Sequence, residues 1–250
     1  MRGQVALAVA AIILATTLIM LVTLPKRTLG PQAAIEDNII EKREIEHMLR
    51  NSIEEAMYAT ALVINATKDE DPAKAFKSYL NITFLPKAAA YAMLRGTQCS
   101  LTRVEAAAKS QAGDKYISEI YVEAECRKDG HRQIAFVYSK ADVHIEHKNL
   151  GLFGGVRAVV SLTRGDTPIN LINYAAVYQI ASDVGLRVFP ALGNLDPREA
   201  IWYFNITNRH EIKVAIPPEF ADKSCRLVIV ATSIGEGAGT VITTKCRAEQ

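Results

Sequence analysis

The sequence predicts an α+β protein in which an N-terminal transmembrane helix and a long amphipathic helix precede an antiparallel, sandwich-like β-rich domain. Three observations predict it. Val5 to Leu24 holds no charged residue, no Gly and no Pro. From Ala33 to Asn65, apolar residues recur at three- and four-residue steps. From Cys99 onward the apolar period changes to two. Residues three or four apart share a helix face, and residues two apart share a strand face.

The first element is the run VALAVAAIILATTLIMLVTL, whose only polar side chains are threonines. As a helix it measures about 30 Å, the thickness of a hydrocarbon core. Arg2 precedes it, and Pro25, Lys26 and Arg27 close it, so 4–27 is expected to cross a membrane. A cleaved secretory signal is the alternative, but that has a shorter apolar core and a small-x-small exit. Basic residues flank both ends, so charge alone does not orient the span.

Residues 31–98 read as a helical stem followed by short helices. Ile45, Met48, Leu49, Ile53, Ala56, Met57, Ala61 and Ile64 form one stripe, with charged residues mostly on the other faces. Such a stripe either covers the chain's own core or also packs against neighbouring copies. Asp71 and Pro72 form a helix start, with the carboxylate as cap and Pro at the first helical position. The expected short helix ends near Leu80. Pro86 starts another, from Ala88 to Leu94, which Gly96 stops.

Residues 99–250 are expected to form the β-rich domain. Candidate strands are Ile117 to Ala124, Arg132 to Tyr138, Asp142 to His147, Val156 to Thr163, Tyr174 to Ile180 and Leu186 to Phe189. Ile201 to Ile206, Glu211 to Ile216, Arg226 to Ser233 and Thr240 to Thr244 complete the set. Gly151 to Gly155, Arg164 to Pro168, Asp183 to Gly185 and Asn208 to His210 read as loops or turns.

The four cysteines test the register of two hairpins. Folding the chain about Ala112-Gly113 sets Cys99 opposite Cys126, and folding it about Gly235-Glu236 sets Cys225 opposite Cys246. Directly opposed residues of an antiparallel pair lie close enough to bridge. In the first hairpin, Arg103 and Glu105 interrupt the apolar face. Four buried free thiols are the alternative. Two bridges imply an oxidising compartment, hence the non-cytoplasmic side of a membrane, or a hyperthermophile. This orients the body outside.

Composition narrows the function classes. The net charge is +2 with signs mixed, which gives no electrostatic case for nucleic acid. The apolar fraction of 49% argues for a packed body. His144 and His147 would lie on opposite faces of a strand and so share no metal. Gly235 to Gly239 lacks the following helix that would hold a phosphate. Arg164-Gly165-Asp166 reads as turn chemistry, and no Gly-x-Ser-x-Gly elbow occurs. No enzyme, cofactor, metal site or small-molecule substrate is expected. The segment Phe189 to Pro197 is a candidate binding loop by its irregularity alone. Asn65, Asn81 and Asn205 begin Asn-x-Thr sequons and are candidate glycosylation sites.

Arg2, Gly3 and Gln4, followed at once by the apolar run, carry a family resemblance. This start resembles the class III signal peptides of archaeal type IV pilin-like proteins, and is similar to the N-terminus of tight-adherence pseudopilins. The resemblance implies cleavage of residues 1–3 between Gly3 and Gln4, with the apolar helix retained. Ala8 stands at the fifth mature position, where many such pilins carry Glu. The resemblance also implies a structural subunit of an archaeal cell-surface filament, or its minor or anchoring component. Its partners would be the membrane and copies of itself or other pilin-like subunits. A single-pass, membrane-tethered extracellular binding domain that does not polymerise is the alternative.

Overall fold

The computed structural model describes residues 31–66, 71–111, 113–150, 153–170, 172–180, 187–190, 201–206, 209–215 and 225–245. The expected leader at Gly3 and Gln4 and the expected membrane helix over 4–27 lie outside them. Among the described residues, no helix is long and apolar enough to cross a membrane.

Two helices come first. Helix α1 spans Pro31–Ala66 and helix α2 spans Pro72–Arg95. The α1 stripe is fully used within its own core: Leu49, Ile53, Met57 and Ile64 are inaccessible to solvent. Asp71 caps α2 by accepting from the N–H of Ala73 (3.0 Å) and of Lys74 (3.3 Å). Gly96, at φ 69°, closes it with an N–H donated to the Ala92 carbonyl. The expected break at Pro86 does not occur. Pro86 removes the N–H that would bond the Ile82 carbonyl, but both residues are exposed, on the side of the helix that solvent can reach.

Eleven strands follow among the described residues. They are β1 (Gln98–Gln111), β2 (Asp114–Lys128), β3 (His131–Leu150), β4 (Phe153–Arg164), β5 (Thr167–Pro168) and β6 (Ile172–Ile180). The remainder are β7 (Arg187–Pro190), β8 (Ile201–Ile206), β9 (Arg209–Ala215), β10 (Cys225–Ser233) and β11 (Gly239–Lys245). The main order is β7-β6-β10-β11-β2-β3-β4-β9-β8, with β1 on β2 and β5 on β4.

The expected fold class is thereby corrected. The described chain is mostly β, a single curled antiparallel sheet with two helices, rather than helices leading into a sandwich-like domain. The joint that makes it one sheet is the start of β2, where Tyr116 pairs with Ile242 and Lys115 with Thr243. The Thr240 hydroxyl donates to the Ile117 carbonyl (2.8 Å) at the same place. Alternating strands separated by turns read identically whether their sheets stay separate or join, so the pattern alone did not reveal this joint. Two finer corrections follow. β3 runs unbroken through Lys140 and Ala141, and Arg209 and His210 belong to β9 rather than to a turn.

Two apolar cores result. The first lies between the helices and the sheet, where Leu49, Ile53, Phe76 and Phe84 meet Ile120, Val122, Val137, Val228 and Val230. The second joins Val156, Ala158, Val160 and Ile212 to Leu227, Ile229 and Ile242. β10 therefore buries both faces, even-numbered residues in one core and odd-numbered in the other.

The β1–β2 hairpin keeps the expected cysteine register, Cys99 opposite Cys126, and the two form a disulfide. It does so by two bulges that cancel. Counting from the turn, the ladder slips by one residue at Ala107/Ala108 and returns between Leu101 and Arg103. Between them Arg103 opposes Glu123 and Glu105 opposes Tyr121. The slip inverts this segment, so Val104 and Ala106 pack on the core while Arg103 and Glu105 turn outward. The charges that appear to interrupt an apolar face are on the other face.

Candidate functional site

The outer face of β1, β2 and β3 carries a cluster of aromatic and charged side chains. Tyr121 opposes Tyr138, and Glu123 opposes Phe136, across the β2–β3 ladder. The Tyr121 and Phe136 rings lie 6.3 Å apart at 16°, and Tyr121 and Tyr138 lie 6.5 Å apart. The Arg103 guanidinium sits 4.6 Å over Tyr121, and the Lys140 ammonium 5.3 Å over Tyr138. Phe136 is 63% exposed, so this is an open apolar platform with charged margins.

Carboxylates fix the tyrosines. The Tyr121 hydroxyl donates to Glu123 (3.1 Å), and the Tyr138 hydroxyl donates to Glu119. Local burial and the Glu123 carboxylate push the Tyr121 phenol above its ordinary range. Arg103 holds Glu105 below the ordinary carboxylate range. Both shifts favour the resting charge state at neutral pH.

A second cluster lies on the outer face of β3, β4 and β9. Arg157 donates to Glu146 (2.9 Å) and to Glu211, and Lys213 approaches Glu211 at 3.4 Å. Arg157, and then Lys213, hold the Glu211 carboxyl below its ordinary range. His144, Arg157, Val159, Arg209 and Glu211 line an open recess of about 350 Å³ beside this network.

The other sequence candidates separate clearly. His144 faces outward and contacts Glu146 (3.2 Å), whereas His147 approaches Asp114 (3.8 Å). They share no site, and no group of metal-ligating side chains forms among the described residues. Arg164 is paired with Glu236, and the Gly165 N–H donates to the Tyr138 carbonyl (3.0 Å), so Arg164-Gly165-Asp166 is a turn held to the body. The glycine-rich run is a docking turn. The Gly237 N–H and the Ser233 hydroxyl both donate to Glu54 of α1 (3.2 Å each). Asn81 lies on the exposed side of α2, and its sequon partner Thr83 donates to the carbonyls of Ser52 and Leu80. The side chains of Asn65, Asn205 and Cys225, with all of Cys246, lie outside the described part. Of the Phe189 to Pro197 loop, Phe189 and Pro190 belong to β7 and the rest lies outside the described residues.

The aromatic platform was not anticipated from the sequence. Folding the chain about Asp129-Gly130, as was done for the cysteine hairpins, sets Tyr121 opposite Tyr138 and would have found it. No protein-family profile, curated protein or solved structure matches the chain.

Proposed function

We propose that the chain is a pilin-like structural subunit, held in a membrane by Val5 to Leu24 and carrying its β-rich body outside. The observation that carries this reading is the Cys99–Cys126 disulfide, which suits an oxidising exterior, downstream of an apolar N-terminal run. The Arg2-Gly3-Gln4 start supports processing of the pilin kind. In this reading Cys225 and Cys246 form a second bridge. The β10–β11 register supports it, because Arg226 opposes Lys245, one step from that pair. Asn65, Asn81 and Asn205 are the candidate glycan acceptors.

A non-reducing peptide map of protein from its native cell tests the proposal. The expected result is Gln4 as the first residue, a peptide linking Cys225 to Cys246, and the same protein in sheared surface filaments. An intact Met1 together with absence from filaments overturns the pilin-like reading. The alternative, a single-pass, membrane-tethered extracellular binding domain that does not polymerise, is favoured by the Tyr121–Phe136–Tyr138 platform with its exposed Phe136. It predicts membrane-bound protein that never enters the filament fraction.

A further inference from the structure

β1 pairs with β2 along one edge, and among the described residues no strand lies along its other edge. From Gln98 to Gln111 its side chains are half-buried or exposed. A free edge presents N–H and C=O groups that another strand can pair. We propose that this edge is the docking site for a second copy of the chain, joined antiparallel about a two-fold axis through Val104.

Register and charge point to a second copy. The faces of two joined sheets stay continuous only when outward residues oppose outward ones, so a self-pairing must centre on a residue. Centring on Arg103 opposes two guanidiniums, and centring on Glu105 opposes two carboxylates. Centring on Ala106 sets Arg103 against Lys109. Centring on Ala107 sets Glu105 against Lys109 but leaves Arg103 facing Gln111. Centring on Val104 matches Arg103 of each copy with Glu105 of the other, and Val104 with Val104, within the in-phase stretch from Thr102 to Ala106, beyond which the slip at Leu101/Arg103 ends the ladder. Opposite charges directly across an antiparallel pair stabilise it, and like charges weaken it. Both groups stand ready on the outer face, where Arg103 already contacts Glu105 of its own chain at 2.8 Å.

The helix beside this edge carries exposed apolar side chains of its own. α2 lies against β1, close enough for Lys77 to act on Glu105. Ile82, Leu85, Ala89 and Met93 follow three- and four-residue steps along its exposed side. Leu85 is 63% exposed and Met93 87%. Thr83 and Lys87 contact α1, and at 3.6 residues per turn they mark the flank away from Leu85. Tyr91 and Arg95 also contact α1, so the apolar stripe lies on the side of the helix away from α1. This inference does not depend on whether the chain enters filaments.

The test uses the full chain in detergent, made in a host that does not glycosylate, so that Asn81 on α2 is bare. Val104→Cys reports the pairing by disulfide formation between copies, because opposed residues lie within reach of a bridge. Crosslinking is expected in this background and is expected to fall at least tenfold when Arg103→Glu or Glu105→Arg is added alone. Mixing the two charge variants one to one restores it, since each then meets the opposite charge only on its partner. Lys109→Glu leaves it unchanged. Failure of Val104→Cys to crosslink, equal crosslinking in the single charge variants, or no recovery on mixing overturns the proposal. Circular dichroism of each variant confirms that it is folded.

Discussion

Replacing Gly237 by Ala separates the backbone cost of a turn from the cost of docking it on a helix. Gly237 has φ +69°, and a Cβ there would lie 2.8 Å from Arg50 Cγ and 2.9 Å from Arg50 Cα. Gly235 has φ +74°, but a Cβ there meets nothing within 4 Å. The left-handed backbone costs an L-residue about 1–2 kcal/mol at either position. At Gly237 the turn must also withdraw from α1. That strains the bonds from the Gly237 N–H and the Ser233 hydroxyl to Glu54, and hydrogen bonds to a charged group contribute about 1.5–3 kcal/mol. The total for G237A is about 3–5 kcal/mol, against about 1–2 kcal/mol for G235A. For a chain of this size these become losses in Tm of about 6–20 °C and about 2–8 °C. Thermal unfolding of the full chain in detergent, followed by circular dichroism, measures both. Equal losses in the two variants would refute the docking of this turn on α1.

Three further outcomes are expected. Replacing both Cys99 and Cys126 by Ser, which removes the bridge between positions 27 residues apart, lowers stability by about 3–4 kcal/mol through loop entropy, read as a fall in Tm against the unreduced parent chain. Asp71→Ala removes the oxygen that accepts from the Ala73 and Lys74 amides and costs about 1 kcal/mol, read by denaturant titration, while Asp71→Asn retains most of the stability. Glu211 has a depressed pKa in the native state, so its contribution is full above the ordinary glutamate value of about 4.3 and fades as pH falls below it. In Arg157→Gln, which removes the main cause of that depression, the decline of Tm with acidification is shallower.

Much of the local structure was legible because period and punctuation act over a few residues. The α1 stripe from Ile45 to Ile64, the Asp71-Pro72 start and the registers of two hairpins could be read directly. What escaped reading was set by contacts between distant residues. Pro86 looks like a helix break until the exposure of Ile82 and Pro86 puts the orphaned carbonyl on the side of the helix that solvent can reach. Arg103 and Glu105 look misplaced because a bulge moves a strand by one residue without a composition of its own. The sandwich-like expectation failed at the short pairing of β2 with β11, which no local pattern encodes. The platform of Tyr121, Phe136 and Tyr138 was hidden differently. Each of these residues reads as an ordinary strand former, and only the hairpin register places them side by side.

β10 is at once the floor of one core and the ceiling of the other, with Val228 and Val230 looking toward the helices and Leu227 and Ile229 looking away. Neither compartment can loosen without disturbing the wall they share. Damage in one is therefore felt in the other through a single strand. The helices and the distant strands β4 and β9 are therefore expected to unfold in one transition, coupled through this shared wall.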